Sequence, residues 1–364
     1  MGNQEKQISG SIISHPYDNS SNCSSAFRNT AEEDLILAYK QIILGYVVPS
    51  ICLYGIISNI LNIVVLSSNK LKDSLYTYLL GLAIADLLSL VLFLFSSLTR
   101  GLYNGDFGWM TFEVYIYFPF ASASTMASAL QTIAVTIERF FWVSKPMKSK
   151  QFCTRELAVK VTLGIYITCI IFNIPRCFAF TLAKQVSCNS TESADFYHFS
   201  YTEFGTSSFY MAHSWVSLIG ITFGGILFLL IFNILLFRAV YISNKTSITM
   251  VSSSQQQRTK HQQRLTMTLV SVVTVFLIGE LPSAMVNRSV SVAIYGQGDM
   301  SVLSNQTYQL MSLLGTTLVV LQHSLNFVIY CVLNRRFRTV FRVHTLRCST
   351  NTVNDVGTTL NNLS

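Results

Sequence analysis

The chain has 364 residues, of which 51% are hydrophobic and only 12% charged, where a soluble globular domain carries roughly 25% charged residues. So apolar a composition excludes a soluble fold, and the formal net charge of +8 reads as a membrane-topology signal, with no nucleic-acid partner expected. No zinc-binding His-Glu-x-x-His, phosphate-cradling glycine loop or nucleophile elbow is present, so neither an enzyme nor a metal or cofactor is expected.

Residues 1–41 are polar and carry the sequons Asn19-Ser20-Ser21 and Asn22-Cys23-Ser24 beside Glu32, Glu33 and Asp34. This stretch is expected to be an extracellular glycosylated tail. It lacks a signal-like apolar core behind a basic start, so the first span is expected to serve as its own insertion signal. Seven apolar runs follow, each long enough for the about 20 helical residues that cross a bilayer core: Ile42 to Leu66, Tyr76 to Leu98, Phe112 to Ile137, Leu157 to Phe180, Phe209 to Val240, Leu265 to Val290 and Tyr308 to Leu333. An isolated strand cannot satisfy its backbone in lipid, which predicts an all-α membrane protein, a seven-transmembrane helix bundle. With the N-terminus outside, eighteen of the twenty-five Lys and Arg fall on the inner side, and that bias sets the N-terminus outside and the C-terminus inside. Residues 42–343 are then the seven-transmembrane domain with a membrane-surface helix, and 344–364 a cytoplasmic tail. In this topology Asn189 and Asn305 also present outward sequons.

Polar residues inside the spans mark candidate sites. Asn59 lies in the first helix and Asp86 in the second; an ionisable group in mid-membrane is either functional or a hydrogen-bonded link between helices. The third span ends in Glu138-Arg139-Phe140, and Arg139 either snorkels to the inner interface or is paired and used. If used, it faces an inner cleft beside Arg264 and Tyr330. Pro119, Pro175 and Pro282 interrupt apolar runs and are expected to bend helices near their outer halves, opening a cavity. The last span closes on Asn326-Phe327-Val328-Ile329-Tyr330-Cys331. Beyond it, Asn334 to Arg342 mixes basic and aromatic residues and suits a short amphipathic helix on membrane lipid.

These landmarks together resemble the rhodopsin-like class of G-protein-coupled receptors from Ile42 to Phe341. The match includes Asn59, Leu82-Ala83-Ile84-Ala85-Asp86, Trp109, Glu138-Arg139-Phe140, Pro146, Phe276, Pro282 and Asn326 to Tyr330. Within the class, Gln131-Thr132, Asn173-Ile174-Pro175-Arg176, Glu280-Leu281-Pro282 and Asn326 to Cys331 are similar to the FMRFamide and myosuppressin group of invertebrate neuropeptide receptors. The resemblance implies a multi-pass plasma-membrane receptor that binds an extracellular peptide ligand and activates a heterotrimeric G protein, with arrestin as a further partner. By the same resemblance Arg139 is the G-protein contact beside Glu138, Tyr330 its rearranging partner, and Asn59, Asp86, Ser128 and Asn326 a central polar cluster. A chemosensory receptor on the same scaffold is the alternative. A transporter would show internal repeats or paired broken helices, and neither is evident.

Departures from the class are as informative. Gln262 stands where an acid often pairs with the arginine, Phe327 replaces a proline, and Gln322 and His323 occupy positions where small polar residues often complete a sodium site. The start of the third helix, Phe112-Glu113-Val114-Tyr115, lacks the cysteine that the class ties to the second outer loop. Cys188 must pair elsewhere or stay free; Cys23 and Cys177 are the available outer partners, and the Cys23 pairing is preferred. Glu280 stands where the class usually places a tryptophan. It is expected to face the cavity with Glu113 and Tyr117 and to read a cationic ligand side chain, the alternative being an internal pair with His323 or Gln322.

Overall fold

The computed structural model describes residues 31–144, 149, 153–186, 195–247 and 253–343. Among them, seven helices are long and apolar enough to cross a membrane. Helix α1 comprises Ala31–Ile42, a π-helical stretch Ile43–Val47, and Val48–Leu66, and α2 is Ser74–Gly101. Helix α3 comprises Phe107–Phe112, a π-helical stretch Glu113–Tyr117, and Phe118–Ser144; α4 is Arg155–Asn173. Helix α5 comprises Ser208–Trp215, a π-helical stretch Val216–Phe223, and Gly224–Ser247; α6 is Ser253–Met285 and α7 is Gln306–Leu333. Residues 335–343 form a final short helix, α8.

Local chemistry starts and shapes these helices. Asp106 caps α3 by accepting from Gly108 and Trp109 N–H at 3.0 and 3.1 Å, and Thr154, Ser207 and Asn305 cap α4, α5 and α7 in the same way. Each such cap is worth about 0.5–2 kcal/mol. A proline cannot donate to the fourth residue before it and crowds that carbonyl. Both Pro49 and Pro119 stand just after π-helical stretches, whose wider turn relieves that conflict. Pro282 stays within α6, whereas Pro175 ends a helix instead of bending one, because α4 stops at Asn173 and Arg176–Ala179 is a separate turn.

Half of the apolar window of α2 and of α3 is buried, against 17% for α4 and α5, which makes α2 and α3 the centre of the bundle and α4 and α5 its lipid-facing wall. Accordingly Ile167, Ile170, Leu227 and Ile231 are exposed. The main core lies toward the inner half, where Leu75, Leu79, Leu82, Val135, Leu236, Leu269, Val273, Tyr330 and Phe337 pack together. Phe337 and Val340 bury the apolar face of α8 against this core, and Arg336 reaches Asp73 at 3.2 Å. Helix α1 is held to α7 through Ser58 Oγ, which donates to the Ser324 carbonyl at 3.1 Å, at a crossing where Gly55 leaves room for Ser324.

A feature beyond the helical prediction is an antiparallel hairpin, β1 (Phe180–Val186) and β2 (Asp195–Tyr201), paired from Phe180↔Tyr201 to Val186↔Asp195. Strand periodicity puts Phe180, Leu182, Tyr197, Phe199 and Tyr201 on one face. From that face Phe180 and Phe199 meet Phe118 of α3 at ring distances of 4.7 and 5.3 Å. Tyr197 N–H donates to the Gly105 carbonyl at 2.9 Å, pinning β2 to the loop before α3. The hairpin is therefore anchored to the third helix by rings and backbone at the end where the usual cysteine is missing.

Candidate functional site

The polar residues form three groups stacked along the bundle. In the middle, Asp86 of α2 is fully buried. Its Oδ1 accepts from Ser128 Oγ of α3 at 2.7 Å and lies 2.7 Å from His323 Nδ1 of α7, while Oδ2 accepts from Asn326 Nδ2 at 2.6 Å. With Asp86 as a carboxylate, which only accepts, the hydrogen of the contact is assigned to Nδ1. A buried charge costs several kcal/mol unless its lone pairs are met, and donors from two helices meet these. The structure thus joins Asp86 with Ser128 and Asn326, and adds His323. Asn59 is placed one step away: its Nδ2 donates at 2.9 Å to the carbonyls of Gly55 and of His323, so it touches the cluster through the backbone of α7.

At the inner end, Arg139 Nη2 is 2.6 Å from Glu138 Oε1, which also accepts from Ser74 Oγ of α2 at 2.6 Å. The guanidinium lies 5.9 Å from the centre of the Trp142 ring. Arg139 is 2% exposed, so its side chain is enclosed in this conformation. Tyr330 is also buried, with its ring against Phe337. The Gln262 side chain lies outside the described residues.

The outer group departs most from expectation. Glu113 is buried, and its Oε1 accepts from Arg100 Nε at 2.8 Å, Arg100 Nη2 at 2.5 Å and Ser96 Oγ at 3.1 Å, all from α2. The Arg100 side chain remains 44% exposed, and its guanidinium stands 5.2 Å from the Tyr117 ring centre. Glu113 therefore already has a cation within the protein. Glu280 of α6 is half-buried and accepts from Gln322 Nε2 of α7 at 3.4 Å, while His323 is committed to Asp86. Gln322 reaches this position because Gly279 has no side chain there; a Cβ would stand 2.5 Å from Gln322 Oε1. Arg100 belongs to no motif in the sequence and stands there only among the basic residues outside the inner side. The available signal was a charged residue near each end of the short connection between the second and third spans, with opposite signs.

The remaining predicted positions divide by location. Asn305 is exposed and caps α7, its Oδ1 accepting from Thr307 N–H at 2.9 Å. Asn19, Asn22, Asn189, Cys23 and Cys188 lie outside the described residues. Cys177, the other available partner, has a free thiol and is exposed. Among the described residues no group of three or more His, Cys, Asp or Glu side chains is arranged to hold a metal ion.

Seven membrane-length helices around a buried Asp86, Asn326 and Arg139 define a seven-helix receptor. The chain matches the family of 7 transmembrane receptors (rhodopsin family) over residues 58–330 and belongs to it. It is a multi-pass membrane protein of a family typically found in the plasma membrane, and that family is one of signalling receptors, not of enzymes. Similar proteins include a probable G-protein coupled receptor of Caenorhabditis elegans, 23% identical with 81% of this chain and 68% of the relative covered. The sex peptide receptor of Drosophila melanogaster is 22% identical, covering 85% of this chain and 74% of its own, and the FMRFamide receptor of the same fly is 25% identical, covering 82% and 52%.

Proposed function

We propose that this receptor binds a short extracellular peptide between the outer ends of its helices and, when bound, exposes Arg139 to a heterotrimeric G protein. The observation that carries the reading is the buried pair of Glu138 and Arg139, 2.6 Å apart at the inner end of α3. A permanent cation sealed beside an acid, with Ser74 of a second helix on the same carboxylate, supplies the closed arrangement of the two that a switch requires. The sex peptide and FMRFamide receptors among its relatives support a peptide as the ligand. Arrestin is proposed to use the same inner face, and α8 to lie on membrane lipid with Arg335 and Arg342 outward.

The ligand's charge is proposed to be read at Glu280. Glu113 is matched by Arg100, whereas the hydrogen-bond donor to Glu280 is the neutral amide of Gln322 at 3.4 Å. A ligand guanidinium offers that carboxylate shorter, charge-assisted and bidentate bonds. Tyr117 supplies an aromatic wall for a neighbouring ligand side chain. Screening amidated peptides with and without arginine against cells expressing the chain, with calcium and cyclic-AMP readouts, tests this. Responses confined to non-peptide compounds would contradict it. Sugar at Asn19, Asn22, Asn189 and Asn305, and a Cys23–Cys188 bond, are proposed for the outer face; glycosidase mobility shifts and non-reducing peptide mapping check them.

A further inference from the structure

In the rhodopsin-like class small polar residues often complete a sodium site beside the position of Asp86; this chain carries Gln322 and His323 there, and the surroundings of the Asp86 carboxylate do not fit an ion. A hard cation is held by oxygen lone pairs from several directions. Around Asp86 the protein instead turns hydrogens inward: Ser128 Oγ–H and His323 Nδ1–H toward Oδ1, both at 2.7 Å, and an Asn326 N–H toward Oδ2 at 2.6 Å. Both carboxylate oxygens are already engaged by donors that a cation would have to displace.

Space gives an independent argument. The cavity bounded by Asp86, Ser128, Gln322, His323 and Asn326 offers about 10 Å³, room for roughly one water molecule and none for an ion with its shell. The imidazole forms part of the cavity wall, held through Nδ1 by Asp86 on one side. Besides Asp86, the His323 backbone carbonyl accepts from Asn59 at 2.9 Å, and the ring lies 6.2 Å from that of Phe93. Phe93 in turn packs against Tyr117 at 6.0 Å, the ring that faces Arg100. Moving the imidazole aside to admit an ion disturbs a packed row that runs to the outer site.

We infer that the His323 side chain takes the place of the ion, so that the resting state of this receptor is stabilised by a residue of its own and is indifferent to sodium. The inference concerns the central cluster and stands whether or not the ligand is a peptide. It is tested on purified full-length receptor by thermal unfolding in a sodium salt and in a choline salt at equal ionic strength. The wild-type midpoint is expected to be the same in both. In His323→Ser, which opens the cavity and supplies an oxygen, sodium is expected to raise the midpoint saturably by about 2–4 °C, the shift for roughly 1 kcal/mol of ligand stabilisation. Adding Asp86→Asn to that variant is expected to abolish the rise. Should His323→Ser fail to fold, His323→Asn, smaller and also oxygen-bearing, is read in the same way. A saturable sodium effect on the wild type overturns the inference. So does a folded serine or asparagine variant that remains indifferent to sodium, since His323 would then not be what excludes the ion.

Discussion

The outer ion pair makes a quantitative prediction that needs no ligand. Removing Arg100 leaves the Glu113 carboxylate, whose side chain is 2% exposed, with Ser96 Oγ at 3.1 Å as its remaining donor among the contacts described above. Breaking a fully buried pair costs about 3–5 kcal/mol, but the Arg100 side chain is 44% exposed, so water already screens part of the attraction. About 2 kcal/mol is therefore expected for Arg100→Ala, a fall in the unfolding midpoint of roughly 4–8 °C at 2–4 °C per kcal/mol. Glu113→Gln removes the charge and keeps the shape, with an expected loss of about 1 kcal/mol. In the double variant no charge is left buried, and it should be less destabilised than the sum of the two by about 1 kcal/mol or more. Thermal unfolding of the four purified proteins measures that coupling. Additivity within about 0.3 kcal/mol, the behaviour of independent sites, would refute the reading of Glu113 as a carboxylate held by Arg100.

Glu280→Gln is expected to weaken an arginine-bearing peptide by about 2 kcal/mol, the low end of the range for a charge pair because the residue is only half-buried, and to leave a citrulline analogue nearly unchanged; competition binding with both peptides checks this. Asp86→Asn places an amide N–H against one of the donors from Ser128, His323 or Asn326 and should cost about 1–3 kcal/mol of the resting arrangement. Basal signalling at matched surface expression should shift accordingly, and an unchanged set point would reduce Asp86 to a link between helices. Phe118→Ala removes the ring that anchors β1 and β2, so hydrogen exchange in those two strands should accelerate while that of α2 stays slow. Equal exchange in both proteins would mean that the hairpin is held by something else.

The seven spans were legible because the bilayer forces backbone satisfaction within each segment, and that constraint is written in consecutive residues. Hydropathy marks the lipid crossing and not the helix, so α1 starting at Ala31, well before Ile42, had no signal in that pattern. Asp86, Ser128 and Asn326 were legible as polar residues within apolar runs. The role of His323 was not, because its partner depends on the rotation of α7 against α2, and the neighbouring Gln322 meets Glu280 on another helix. The partnership of Arg100 and Glu113 likewise follows from how a two-helix turn closes. The hairpin has no hydropathy signal of its own, because β1 begins at the end of an apolar run that reads as helix; Pro175 and the break behind it set that boundary.

The proposed switch requires Glu138 to hold Arg139 closed until the receptor is activated. Guanine-nucleotide exchange on a purified heterotrimeric G protein, measured with reconstituted receptor and no ligand, tests that most directly. Glu138→Gln removes the anion 2.6 Å from the guanidinium and is predicted to raise basal exchange severalfold over wild type, and Arg139→Ala added to it is predicted to return exchange to the level of receptor-free vesicles. Unchanged basal exchange in Glu138→Gln, or full exchange in the absence of Arg139, would contradict the account.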